Sequence, residues 1–278
     1  MDALTKKKSV ALFKWFLVTV WLLVVVLPVL WVFLMSIKTN AQAIEIPPPW
    51  SFEPDWSHYI QLFFSERFEL RPSMFNSVVI SLGSAALSIA LSFPAAYSIS
   101  RFRTGGQNLA FWILSFRMLP PVLFMIPMFT LYLQLGLMDT HIGLIIMYLT
   151  FNIPLSVWVL KSFLDDLPKE FEESAMVDGC SRFEAMFRIV FPLCSPGIIA
   201  VAILCFFFSF NEFLFAMVFT TRQARTMTVM ASIFVTQYTY LWADLAASVI
   251  LMVIPMMIFV AIIQKELVRG LTMGAIKG

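Results

Sequence analysis

Arg117 and Glu212 are a guanidinium and a carboxylate set inside long apolar runs, where an unpaired charge is strongly unfavourable. The amides Asn152 and Asn211 lie in similar runs. Groups of these types at membrane depth can hold a polar solute or bond to one another across helices, but they do not form a set that makes and breaks bonds. Arg117 heads the stretch Arg117-Met118-Leu119-Pro120-Pro121, with Pro127 beyond. Prolines remove helix hydrogen bonds, and the carbonyls they free in a bilayer must face protein or a water-filled cavity, so this helix is expected to wall a pathway. At helical rise Arg117 is about 13 Å inside its run, too deep to snorkel easily. Pairing with Glu212 would neutralise both charges, although Glu212 falls nearer the outer face; a pair and separate roles both stand. For Arg117, Asn152, Asn211 and Glu212 alike, helix–helix hydrogen bonding fits as well as contact with a passing solute.

Other reactive groups do not assemble. Cys180, Cys194 and Cys205 show no metal-ligand or redox spacing and read as packing residues, and neither His58 nor His141 has a ligand partner nearby in sequence, so no metal site is expected. There is no phosphate loop of the G-x-x-x-x-G-K-[ST] form, no paired carboxylates and no Ser/His constellation. No basic patch interleaved with aromatics points to nucleic acid. The chain is expected to catalyse nothing and to bind no cofactor itself.

The elements that position these residues follow from composition. Of 278 residues 60% are hydrophobic and 13% charged, the net charge is +2 and the mean hydropathy is +0.86, far too apolar for a soluble globular chain. The expected fold class is an all-α integral membrane protein with six transmembrane helices. Runs long enough to cross ~30 Å of hydrocarbon fall at Phe13–Met35, Phe75–Ser98, Leu109–Leu135, Ile142–Leu160, Gly197–Phe219 and Ala243–Ile263. The run after Met1–Lys8 is too long for a signal peptide and lacks a small-residue cleavage site, so it is kept as the first span. Lys6, Lys7, Lys8, Lys14, Arg101, Arg103, Lys161, Lys169, Arg182, Arg188, Lys265, Arg269 and Lys277 all fall on one side of this topology. Lys38, Arg67, Arg71, Arg222 and Arg225 fall on the other, which puts both termini and the loop between spans four and five in the cytoplasm. Gly83, Ala85, Ala86, Ala90, Ala95 and Ala96 make the second span a close-packing face, for a neighbouring helix or a second subunit. Between spans one and two, Pro47-Pro48-Pro49-Trp50, Trp56, Tyr59, Leu62, Phe63 and Phe64 suit extended chain and a short amphipathic helix at the outer interface.

The cytoplasmic loop, residues 165–192, reads as two short helices joined at a glycine. Asp165 and Asp166 can cap the first, Pro168 suits its first turn, and Glu170, Glu172 and Glu173 place negative charge at its positive end. Gly179 stops it, because glycine enters the left-handed cap without steric cost. Ser181 and Glu184 have capping-box spacing for the second helix, which is expected to close before Pro192. On it Phe183, Met186, Phe187 and Val190 form one apolar stripe, either packed on this chain's own spans or docked on a partner.

Glu173-Ser174-Ala175, then Asp178-Gly179, then Ile189, Pro192 and Pro196, resemble the EAA loop of ABC-type import permeases, with Ser174 where the pattern has alanine. The stretch Pro168 to Pro196 is most similar to carbohydrate-import permeases of the maltose-permease type. The tail from Arg269 to Gly278 resembles theirs, which reaches into the ATPase dimer. The resemblance implies a single importer transmembrane domain over residues 1–278, with its core at about 70–265 and a cytoplasmic helix-turn-helix coupling loop between helices four and five. It implies a multi-pass protein of the cell inner membrane that passes a di- or oligosaccharide or a polyol. The implied partners are a second permease subunit, two copies of a cytoplasmic ATPase carrying ATP and Mg, an extracytoplasmic solute-binding protein and membrane lipid. Coupling to the ATPase would fall to Glu170, Glu173, Ser174, Ala175, Asp178, Gly179, Phe183, Phe187 and Pro192, and the sugar would bind near the midplane. An ion-coupled secondary sugar transporter is the alternative, although a single deep carboxylate and no evident repeat speak against it.

Overall fold

The computed structural model describes the backbone of residues 3–65, 68–106, 108–235 and 241–275, and the side chains of residues 12–65, 68–106, 108–235 and 241–263. Expectations for Lys6, Lys7 and Lys8, for Arg67, and for Lys265 and the tail Arg269–Gly278 lie outside the described side chains. The described chain is built of helices: α1 Ala3–Ser36, α2 Asn40–Ile44, α3 Ser57–Phe64, α4 Leu70–Phe102 and α5 Leu109–Ser115. After a single 3₁₀ turn, Phe116–Met118, come α6 Val122–Leu135, α7 His141–Asp166 and α8 Glu170–Val177. Next, α9 Arg182–Ala185 runs through the π turn Met186–Val190 into α10 Phe191–Leu193. The remainder is α11 Ser195–Phe210, α12 Leu214–Phe219, α13 Met227–Ser232 and α14 Trp242–Ala275. The chain forms two compact units, residues 1–69 with 231–253, and residues 70–230 with 254–278.

Four helices are long and apolar enough to cross a membrane unbroken: Leu12–Ser36, Leu70–Phe102, His141–Asp166 and Trp242–Ile263. The other two expected spans are not continuous. The third, expected over Leu109–Leu135, bends by 89° between Met118 and Val122. Leu119 is extended there (φ −69°, ψ 132°), the conformation that a residue before proline prefers, because the ring of Pro120 excludes the helical region. The fifth, expected over Gly197–Phe219, stops at Phe210 and restarts at Leu214. Glu212 takes the backbone N–H groups of Phe215 (2.8 Å) and Ala216 (3.0 Å), so its carboxylate opens a new helix instead of riding in the middle of an old one. A further 75° bend separates Arg182–Leu193 from Ser195–Phe210.

In the second unit α4 packs lengthwise on α7 and on α11. Ser77, Ser81, Ser84, Ser88 and Ser92 recur at three- and four-residue spacing and are all buried, giving α4 a narrow face with no bulk to hold its neighbours apart. Ser84 and Ser209 share a hydrogen bond of 2.8 Å, and Asn152 Nδ2 donates to Ser209 Oγ at 2.9 Å, so three helices meet on one hydroxyl. Gly83 and Gly197 allow close approach: a Cβ on the first would lie 2.8 Å from Ile145 Cδ1, and on the second 2.6 Å from the Phe163 ring. The small-residue face of the second span thus packs partly within this chain, with Ala85 and Ala96 buried and Ala86 and Ala90 exposed.

The first unit carries the short helix expected among the outer aromatics, as α3. Lys38, buried, donates to Pro49 O (2.8 Å) and sits over the Phe52 ring at 4.9 Å. Asn40, His58 and Asp244 form a polar knot: Asn40 Nδ2 and His58 Nδ1 each lie 2.8 Å from an Asp244 carboxylate oxygen. His58 Nε2 faces Lys38 O at 3.0 Å, so both ring nitrogens meet acceptors and the protonated imidazole satisfies both. The hydrogen bond to Asp244 raises the His58 pKa above its ordinary value against the opposing pull of burial.

Candidate functional site

The helix-turn-helix of residues 170–193 is set by local chemistry. Gly179 has φ +96°, Cys180 N bonds to Ala175 O (3.0 Å) and Gly179 N to Met176 O (3.1 Å), a Schellman stop in which glycine takes the left-handed position. The capping box forms as expected: Ser181 N donates to Glu184 Oε2 (2.9 Å) and Glu184 N to Ser181 Oγ (3.3 Å). Two expectations fail. Asp165 and Asp166 end α7 instead of capping α8, with Pro168 just ahead of the helix, and the second helix runs through Pro192 instead of closing before it. The π turn explains the second: Phe191 N reaches back to Met186 O, and in this wider turn the missing N–H and the ring of Pro192 are accommodated.

The apolar stripe is divided. Met186 and Val190 are buried in the core, whereas Phe183 and Phe187 stand exposed, edge to face at 4.8 Å. Glu170, Glu173, Ser174, Asp178, Gly179 and Pro192 are also exposed, but Ala175 faces inward at 8% exposure and offers no surface to a partner.

Glu172, which sequence reasoning treated only as a charge at a helix end, is buried beside it. Its Oε1 lies 2.6 Å from Arg101 Nε as an ion pair, and its Oε2 accepts from Tyr97 Oη at 2.7 Å. Arg101 also donates to Leu164 O (2.9 Å) and Leu167 O (3.1 Å), the carbonyls that end α7. A signal existed in the sequence: Tyr97 and Arg101 are four apart, on one face of a helix end.

Of the pathway candidates, Arg117 and Glu212 line one cavity of about 270 Å³ with Phe116, Thr150, Phe151 and Phe208. They do not form an ion pair; Arg117 instead lies over the Phe208 ring at 4.3 Å while Glu212 caps α12. Asn152 is fully buried and joins helices through Ser209, away from that cavity. Asn211 is exposed and turns back to Phe207 O (2.9 Å).

Asp139, also unmarked by sequence reasoning, gathers the loop after α12. Its carboxylate accepts from the backbone N–H groups of Thr221 (3.0 Å), Gln223 (2.9 Å) and Ala224 (3.0 Å) and from the Thr221 hydroxyl (2.7 Å). Burial works to raise its pKa, and these donors overcome it, holding the carboxyl far below the usual carboxylate range. Among the described residues no group of His, Cys, Asp and Glu could hold a metal ion. The three cysteines are free, with Cys194 and Cys205 buried.

The sequence model of a family described as "Binding-protein-dependent transport system inner membrane component" matches residues 88–273. Over 254 residues, 90% of this chain and 88% of the relative, the sequence is 32% identical to the sulfoquinovosyl glycerol transport system permease protein SmoH of Agrobacterium fabrum. It is 33% identical to the trehalose transport system permease protein SugB of Mycobacterium tuberculosis, over 91% of this chain and 92% of that one. The trehalose/maltose transport system permease protein MalG of Thermococcus litoralis is 30% identical over 90% and 91%. The fold is that of a chain in the crystal structure of a bacterial ABC transporter involved in import of the acidic polysaccharide alginate, with a TM-score of 0.73, 21% identity and coverage of 94% and 97%.

Proposed function

Because the chain belongs to the family of binding-protein-dependent transport system inner membrane components, we propose that it forms one half of the membrane pathway of an ATP-driven importer whose cargo is a sugar. It is a multi-pass transport subunit and not an enzyme. The cargo class is a di- or oligosaccharide or a polyol; the relatives' names, which give sulfoquinovosyl glycerol, trehalose and maltose, favour a small glycoside or disaccharide within it. In this reading the bent run Leu109–Leu135 counts as one crossing and α11 with α12 as another, α9 staying on the cytoplasmic side, so these and the four unbroken helices make six spans with both termini in the cytoplasm. The second permease subunit, two ATPase copies carrying ATP and Mg, and the extracytoplasmic binding protein complete the assembly.

The observation that carries the mechanism is the exposed Phe183–Phe187 pair on a helix whose other half is rooted in the core. Such a helix is anchored on one side and open on the other. The helix pair α8–α9 acts as the lever: Glu170, Glu173, Ser174, Asp178 and the Phe183 pair meet the ATPase, Gly179 sets the turn, and Pro192 lies where the lever joins α11. Closure of the ATPase dimer then shifts the spans between outward-open and inward-open populations. Arg117 over Phe208 offers the cavity a cation and aromatic faces suited to sugar hydroxyls, while Glu212, held by backbone N–H groups, shapes the wall.

The test is to tag the chain, solubilise native membranes in mild detergent and identify what co-purifies by mass spectrometry. Recovery of a second permease and an ATPase with a phosphate loop is the expected result. A chain that comes down alone in every gentle detergent would overturn the reading.

A further inference from the structure

The buried trio of Tyr97, Arg101 and Glu172 does something that the exposed surface of the loop cannot. Among the described residues, the hydrogen bonds and ion pairs that tie α8 to a spanning helix all end on Glu172. The guanidinium that receives Glu172 belongs to the last turn of α4 and binds, through its other two nitrogens, carbonyls at the end of α7. One side chain therefore holds α4, the end of α7 and α8 in fixed relation. The Arg101 and Glu172 side chains are only 4% and 7% exposed, so water does not compete for the contact and salt screens it little. Glu170 and Glu173, the neighbours of Glu172 on α8, are exposed and make no such link.

Apolar packing beneath α8 and α9 can slide, since Met186 and Val190 offer surfaces without direction. The polar link cannot slide in that way: the two terminal nitrogens of Arg101 are fixed on the Leu164 and Leu167 carbonyls and the Tyr97 hydroxyl is aimed at Glu172 Oε2, bonds lost over a shift of an ångström or two, while Arg101 Nε and Glu172 Oε1 add a close buried ion pair without hydrogen-bond geometry. We propose that Arg101, Glu172 and Tyr97 are the joint through which displacement of the coupling helices reaches the spans, with Arg101 and Glu172 as positioning residues. The proposal rests on the coupling reading above and adds the pair that carries it. It also accounts for why the link is charged and buried at once: an apolar contact there would hold the helices together without fixing their direction.

The joint is tested in the whole importer, reconstituted with its second permease, ATPase and binding protein in proteoliposomes, by counting sugar molecules imported per ATP hydrolysed. Glu172→Gln keeps an oxygen for the Tyr97 hydroxyl and removes the charge that holds Arg101. The expected result is a complex recovered in wild-type yield that still hydrolyses ATP, with the import-to-hydrolysis ratio reduced by at least about fivefold. Glu172→Asp, which keeps the charge on a shorter arm, recovers part of that ratio. A purely structural role lowers the amount of working complex and leaves the ratio at the wild-type value; that outcome overturns the joint. Where Glu172→Gln fails to assemble, Tyr97→Phe removes a single hydroxyl and is read by the same ratio, with an unchanged value again overturning the proposal. If the wild-type chain recruits no ATPase, the coupling reading falls and the joint with it; if the wild type couples and the variants couple equally well, the joint alone falls.

Discussion

Phe183 and Met186 stand three positions apart on one helical run, yet Phe183 is 69% exposed and Met186 only 6%. Met186→Ala is therefore expected to lower stability by ~2–5 kcal/mol through cavity formation, whereas Phe183→Ala stays within about 0.5 kcal/mol of wild type. Phe183→Ala should instead loosen retention of the ATPase during purification. Thermal unfolding in detergent, together with co-purification, separates the two; the reverse pattern would refute the division of the stripe.

Gly179 has open space where a Cβ would stand, so its requirement is conformational and not steric. At φ +96° a β-branched residue is strained by about 1–2 kcal/mol. Gly179→Val should insert normally and lose coupled transport, measured as ATP-driven sugar uptake. Undiminished uptake would sink the lever reading of α8 and α9.

Two glycines in helices predict unequal costs. A Cβ at Gly197 meets the root of the Phe163 ring at 2.6 Å and its Cβ at 3.0 Å, while a Cβ at Gly83 meets the movable tip of Ile145 at 2.8 Å. Gly197→Ala should cost ~1–3 kcal/mol by overpacking and Gly83→Ala distinctly less. Melting temperatures of the two variants in one detergent decide it, and equal losses would contradict the packing described.

The Asp139 carboxyl is held below its ordinary pKa, so the stabilisation it gives is complete above the unfolded value of about 3.9 and is lost as pH falls below that. Asp139→Asn should remove this dependence. Unfolding followed from pH 6 down to about pH 3 should show wild type losing more than the variant, and parallel curves would exclude the carboxylate as the holder of the loop.

His58 gives the opposite sign. Its pKa is raised, so the stabilisation from the Asp244 contact is complete below about pH 6.5 and is lost as pH rises through the raised value. Wild type should lose more stability than His58→Gln on going from about pH 6 to pH 9. An identical response in both would remove the imidazolium from the account.

The membrane class, the Gly179 stop and the Ser181–Glu184 cap were legible because each depends on composition or on groups within four residues, where local chain geometry leaves one outcome. The breaks in the third and fifth spans were not, although Pro120 and Glu212 were in view, because whether a proline kinks a helix or ends it depends on what lies beside the bend. The apolar stripe was read as one face, but only the flank of Met186 and Val190, next to buried Ala185, meets the core, and Phe183 and Phe187 on the other flank lie outside. Tyr97 and Glu172 are 75 positions apart, and Asp139 meets a loop more than 80 positions on. Nothing local selects such partners. The sequence alone determined the membrane class of this chain, the stop at Gly179 and the cap at Ser181 and Glu184. Only packing decided which buried charges meet, because a polar group leaving water bonds to whatever donor or acceptor the converging helices bring within about 3 Å.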